Sequence, residues 1–131
     1  METKSFKMGE VIIAEGSLSK DAFIIESGSV EVSKKMPDGK NQILTKLDKN
    51  DIFGEMGLID QLPRSATVKA LEDCCISIMT PDTFNSLASR NPKALMPILK
   101  ILATRLRNTL KIIEEAGEQN TGNQAVVAGK I

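Results

Sequence analysis

Histidine, tryptophan and tyrosine are absent from this 131-residue sequence, and phenylalanine occurs only four times. Without histidine there is no Ser–His or Cys–His catalytic pair and no imidazole-ligated metal. The scarcity of aromatics predicts a core of aliphatic side chains and methionine. Only two cysteines occur, Cys74 and Cys75, side by side in an apolar run. Strand alternation would send them to opposite faces. With no further Cys or His to complete a structural disulfide or a metal site, they read as small core or near-surface residues. Net charge is absent too: 17 basic residues balance 17 acidic ones. No basic excess points to nucleic acid or an acidic membrane surface. No apolar run approaches a membrane span and no secretory pattern opens the chain, so the cytoplasm is the expected compartment.

What is present is ordinary for a soluble domain: 41% apolar and 26% charged residues, in a length suited to one core. The segment 53–70, FGEMGLIDQLPRSATVKA, stands out. Gly54 permits backbone geometry that other residues resist. Glu55 follows at once. Gly57 removes another side chain, so neighbouring amides can approach a ligand. Residues 56–59 suffice for about one helical turn, whose N–H groups favour an anion. Nine residues after Glu55 comes Arg64, permanently charged and with a planar fork suited to phosphate oxygens. Pro63 stiffens the approach, Ser65 adds a hydroxyl and Ala66 keeps space open. A carboxylate able to accept a sugar hydroxyl thus lies a short loop away from an arginine able to hold a phosphate.

In order along the chain, 1–7 is short and polar. Strands are expected at 11–14, 22–26, 29–34 and 42–47. Val30 and Val32 in the third of these share one face, and Glu31 and Ser33 the other. Pro37-Asp38-Gly39 is the turn of a hairpin between the last two. Further strands are expected at 65–71 and 75–79. Short strands between Gly-bearing turns indicate a small sandwich or barrel rather than alternating βα units. At Thr80 the period changes. Thr80-Pro81-Asp82 is a helix start, with Thr as N-cap and Pro in the first turn. Asn91-Pro92 repeats the device and predicts a long helix over about 92–115. Leu95, Leu99, Leu102, Leu106, Thr109 and Ile113 form its heptad-like stripe, with Ile98, Ile101, Leu110 and Ile112 widening the apolar surface. This stripe is either the face packed on the strands or, in part, a homodimer contact. From 116 to 131 little periodicity remains, and a flexible tail is expected.

The segment 53–70 closely resembles the phosphate-binding cassette of the cyclic-nucleotide-binding domain family, Phe-Gly-Glu-Leu-(Ala/Gly)-Leu, a short loop, then Pro-Arg-(Ser/Ala)-Ala-Thr-Val. Here it reads Phe53-Gly54-Glu55-Met56-Gly57-Leu58, then Pro63-Arg64-Ser65-Ala66-Thr67-Val68, with Met56 for Leu as the visible departure. The Glu-to-Arg spacing matches the kinase regulatory subunits of the family. The resemblance extends over the strand region, where Gly9, Gly16 and Phe23-Ile24-Ile25-Glu26-Ser27-Gly28-Ser29-Val30 fit the family's glycine spacing. It implies a mainly β fold: a small eight-stranded jelly-roll barrel (about 5–80) with the cassette inside, then a short and a long C-terminal helix (about 80–115). Residues 1–115 would form the domain and 116–131 the tail.

As the family implies, Glu55 would bind the ribose 2′-hydroxyl and Arg64 the cyclic phosphate. Gly54, with amides near Met56, Gly57, Leu58, Ser65 and Ala66 and the Ser65 hydroxyl, would complete the cradle. By register with the catabolite-activator branch, Val32 and Leu44 fall where apolar side chains line the base and sugar pocket; plain core packing is the other reading of both. That branch also carries a base-contacting threonine in the context Arg-Leu-x-x-Thr, matched by Arg105-Leu106-Arg107-Asn108-Thr109. Thr109 would then touch adenine, with Arg105 beside the base or Glu55; a tolerated polar position is the alternative. The branch's next residue is a serine offered from the partner subunit, where this chain has Leu110. Its DNA-reading helix-turn-helix would not fit in 116–131.

The expected function is therefore a non-enzymatic sensor that binds cyclic AMP and repositions its C-terminal helix, with no metal. A hydroxyl at Ser65 keeps cyclic GMP as the alternative ligand. A barrel that serves only as an interaction module is the alternative class, opposed by the presence of both Glu55 and Arg64. A cupin-like metalloenzyme lacks its histidines.

Overall fold

The computed structural model describes residues 1–119. Two compact units divide the chain, Met1–Lys93 and a second that begins at Ala94. The first holds eight strands: β1 (Glu2–Phe6), β2 (Val11–Ile13), β3 (Ala22–Ser27), β4 (Val30–Lys35), β5 (Asn41–Leu47), β6 (Ile52–Phe53), β7 (Thr67–Ala70) and β8 (Cys74–Met79). Helix α1 (Glu55–Asp60) interrupts them after β6, and α2 (Pro81–Arg90) follows β8. Two four-stranded antiparallel sheets result, ordered β1-β8-β3-β6 and β2-β7-β4-β5. The mainly β, jelly-roll expectation holds.

Alternation explains why the sheets face each other. Phe6, Phe23, Ile25, Phe53, Cys74 and Ile76 come from one sheet, and Ile13, Val30, Val68 and Ala70 from the other; together they form one core. Phe23 and Phe53 are cross-strand partners and stack with ring centroids 5.0 Å apart. The expectation of a methionine-rich core is corrected: only Met79 of the six methionines is buried, while Met1, Met8, Met56 and Met96 are exposed. Branched aliphatics and phenylalanine fill a pleated, two-sheet core better than a flexible thioether does. Cys74 is buried and Cys75 half-buried, both as free thiols. Burial pushes the Cys74 thiol above its ordinary value.

Residues 2–6, read as a polar lead-in, form β1 instead, paired with β8 from Glu2↔Ile78 to Phe6↔Cys74. Ladder bonds to a neighbouring strand outweigh the weak strand pattern of ETKSF. The edge strand β5 carries a bulge. Val32 pairs with Thr45 and Ser33 with Ile43, so Leu44 is the extra residue.

At α2 the Thr80 hydroxyl accepts the Thr83 N–H at 3.2 Å, as the cap predicts. Beyond Asn91 the expected helix from 92 does not start as an α-helix. Residues Pro92–Leu95 form a 3-10 turn, and α3 runs Met96–Gln119. Pro97 is the reason: it has no N–H to give to residue 93, so it fits only in a helix's first turn. Helix α3 also continues past 115, the expected end, through the first residues of the segment read as a tail. The rest of that segment, 120–131, lies outside the described residues. Within α3, Ile98 is buried, whereas Leu99 and Leu106 of the heptad stripe are 53% and 61% exposed.

Candidate functional site

The cassette sits between β6 and β7. Gly54 takes a left-handed conformation (φ +79°) and opens α1 without a side-chain cap. This turn carries Glu55 into the protein, where it is only 4% exposed. Leu58 is buried beside it in the same helix and Met56 points outward. A C-terminal residue in the left-handed region, Gln61, ends α1, and Lys20 Nζ holds its carbonyl at 2.6 Å.

Arg64 is the centre of the site and is 5% exposed. Its backbone is pinned from both sides, its N–H donating to Ser17 O at 2.9 Å and its carbonyl accepting from Gly16 N–H at 2.8 Å. Its guanidinium donates through Nε to Ser19 Oγ (3.1 Å), through Nη1 to Gly54 O (2.8 Å) and through Nη2 to Asp21 O. All three acceptors are neutral oxygens. Burial pushes the guanidinium below its ordinary value, and the charges of Asp21 and then Glu55 oppose that shift. Among the described residues, two of its five N–H groups stay uncommitted.

The two cassette glycines make this packing possible. A Cβ at Gly57 would lie 2.8 Å from Arg64 Nη1 and 3.3 Å from Cζ. One at Gly54 would lie 2.9 Å from Asp21 O and 3.1 Å from Nη1. A Cβ at 57 would therefore require the end of the guanidinium to shift. Ser65 is exposed and Ala66 half-buried just beyond it.

The fold thus brings together Gly54, Glu55, Gly57 and Arg64. Val32 packs against the core cluster while still partly exposed, and Leu44 is about half exposed on the β5 bulge. Arg105 and Thr109 belong to the second unit, one turn apart on α3, where the Thr109 hydroxyl donates to the Arg105 carbonyl at 2.9 Å. Sequence reasoning missed the loop 14–21. Ser17, Ser19 and Asp21 all grip Arg64, yet a short polar run carries no local sign of it.

A family model, cyclic nucleotide-binding domain, matches residues 3–91. A CRP-like cAMP-activated global transcriptional regulator of Mycobacterium tuberculosis is 30% identical over 109 residues, covering 83% of this chain and 49% of the regulator. A cAMP-dependent protein kinase regulatory subunit of Debaryomyces hansenii is 41% identical over 87 residues, 66% of this chain and 18% of the subunit. The chain therefore spans half or less of the length of these relatives. The catabolite activator protein of Thermus thermophilus superposes with a TM-score of 0.82 at 26% identity, over 88% of this chain and 55% of that one. With more than half of its residues matched by the family model, this chain belongs to the cyclic nucleotide-binding domain family.

Proposed function

We propose that this chain is a non-enzymatic sensor that binds cyclic AMP. The observation that carries the reading is Arg64: a buried guanidinium held by neutral oxygens only, with a buried carboxylate, Glu55, in the same cassette. A buried charge without a counter-charge at contact is costly, and a cyclic phosphate supplies that counter-charge. In this reading the two uncommitted N–H groups of Arg64 take the phosphate, and Gly54 and Gly57 leave room for the guanidinium that holds it. Amides of Met56, Gly57, Leu58, Ser65 and Ala66 and the Ser65 hydroxyl close the cradle. Glu55 accepts the ribose 2′-hydroxyl. Val32 and Leu44 flank the sugar and base, and Thr109 with Arg105 reads adenine. Adenine is favoured by the Arg-Leu-x-x-Thr spacing and by relatives named for cyclic AMP.

Ligand binding signals by moving α3, provided the ligand binds the two arrangements with different affinity. Exposed Leu99 and Leu106 give α3 an apolar surface for a second copy of the chain.

Isothermal titration with cyclic AMP and cyclic GMP tests the reading, on protein first checked for retained nucleotide. Saturable binding, tighter for cyclic AMP and weakened at least about a hundredfold in Arg64→Ala, is expected, the scale of a buried charge-assisted pair. Tighter binding of cyclic GMP would reassign the base to Ser65 chemistry. No binding by nucleotide-free protein would leave an interaction module.

A further inference from the structure

Lys34 of β4 lies outside the cassette in sequence but reaches it in space. Its Nζ donates to the Ser65 carbonyl at 2.8 Å and sits 3.3 Å from Glu15 Oε2. Glu15 is itself tied down. Its Oε1 accepts the Lys35 N–H at 3.0 Å, and its own N–H donates to Thr67 Oγ1 at 3.0 Å. The loop after β2, the end of β4 and the second arm of the cassette therefore converge on one peptide group.

That peptide is the weakly held one. On one side Arg64 is pinned by Gly16 and Ser17; on the other Thr67 pairs with Ser33 in the sheet. Ser65 and Ala66 form a bend between these anchors, outside any strand. The pair Lys34–Glu15 is 44% and 30% exposed, and exposed ion pairs contribute little to stability. Its consequence is orientation. No peptide bond here is cis, and in a trans peptide the C=O and the following N–H point to opposite sides. Holding the Ser65 carbonyl on Lys34 turns the Ala66 N–H the other way.

We propose that Lys34, steadied by Glu15, is a positioning residue that sets the Ser65–Ala66 peptide so that the Ala66 N–H faces the phosphate, a role that rests on the cyclic-nucleotide reading of the site. A donor fixed before binding costs no reorganisation when the ligand arrives. Lys34 acts on the phosphate through this peptide and not by touching it.

The test is calorimetric titration with cyclic AMP and with its two diastereomeric phosphorothioates, in which sulfur replaces one or the other exocyclic phosphate oxygen. Wild type, Lys34→Met, Lys34→Arg and Glu15→Gln are compared, each with a thermal melt. Lys34→Met is expected to weaken cyclic AMP about tenfold, the scale of one hydrogen bond, and to shrink the wild-type preference between the diastereomers. Lys34→Arg should keep both affinity and preference, because its N–H groups also reach the carbonyl. Unchanged affinity in Lys34→Met overturns the role, and so does equal weakening of both diastereomers with the preference intact. If Lys34→Met does not fold, Glu15→Gln decides: a reduced preference supports the role and an unchanged one overturns it. Wild-type protein that binds none of the three ligands overturns the reading of the site itself, and that outcome is read from the first titration alone.

Discussion

Arg64 concentrates the physical chemistry of this protein at a single residue. Folding takes its charge out of water and supplies three neutral oxygens in return. Such an arrangement stabilises an incoming anion more than it stabilises the protein alone. Gly57 sets how closely α1 approaches Arg64. A methyl group there lies 2.8 Å from Nη1, so either the guanidinium or α1 must move. Gly57→Ala should therefore fold and, because the family's cassette carries Ala or Gly at this position, keep cyclic-AMP affinity within about tenfold, less than the loss of one charged hydrogen bond. Titration and a far-ultraviolet melt on the same preparation check it; a larger loss would show that Arg64 cannot shift to make room. The grouping of Gly54, Glu55, Gly57 and Arg64 was legible because they lie in one short stretch of chain. Ser19 and Asp21 were not, since they meet Arg64 across 45 and 43 positions of chain.

Among the elements, α2 shows a local signal that held and α3 one that did not. The Thr80 hydroxyl caps α2 and Pro81 occupies its first turn. Thr80→Ala is expected to destabilise the protein by about 1 kcal/mol through loss of that cap. Urea unfolding measures it, with a lower midpoint at unchanged slope as the expected sign. For α3 the same Asn-Pro device at 91–92 marked only a 3-10 turn, because Pro97 bars an α-helical bond back to residue 93. The heptad pattern was clear in sequence, but Leu99 and Leu106 ended more than half exposed. Periodicity states which residues share a face and not what that face meets. Likewise β1 emerged from a polar run, since an antiparallel neighbour supplied the pairing that its composition did not announce.

For the molecule as a whole, binding and stability are linked. A ligand that binds only the folded state, present at a hundred times its Kd, adds about 2.7 kcal/mol. For a domain of this size that corresponds to a rise on the order of 10 °C in Tm. Cyclic AMP should therefore raise the Tm of wild type by that amount and that of Arg64→Ala by only a small fraction of it at the same ligand concentration, as measured in parallel melts. A rise of equal size in both proteins would place the ligand elsewhere.

The sequence by itself determined the class of fold, the grouping of the cassette residues and the start of α2, because each follows from neighbours in the chain: alternation at period two, glycines at a turn, a hydroxyl before a helix. Missing histidine likewise excluded imidazole chemistry outright. Only the tertiary structure decided which distant residues serve the cassette. The loop 14–21 encloses Arg64, and Lys34 with Glu15 holds the Ser65 carbonyl. Those contacts depend on strand order and register, which arise when two sheets bury one core together. A polar residue carries no mark of the partner that such packing will bring to it.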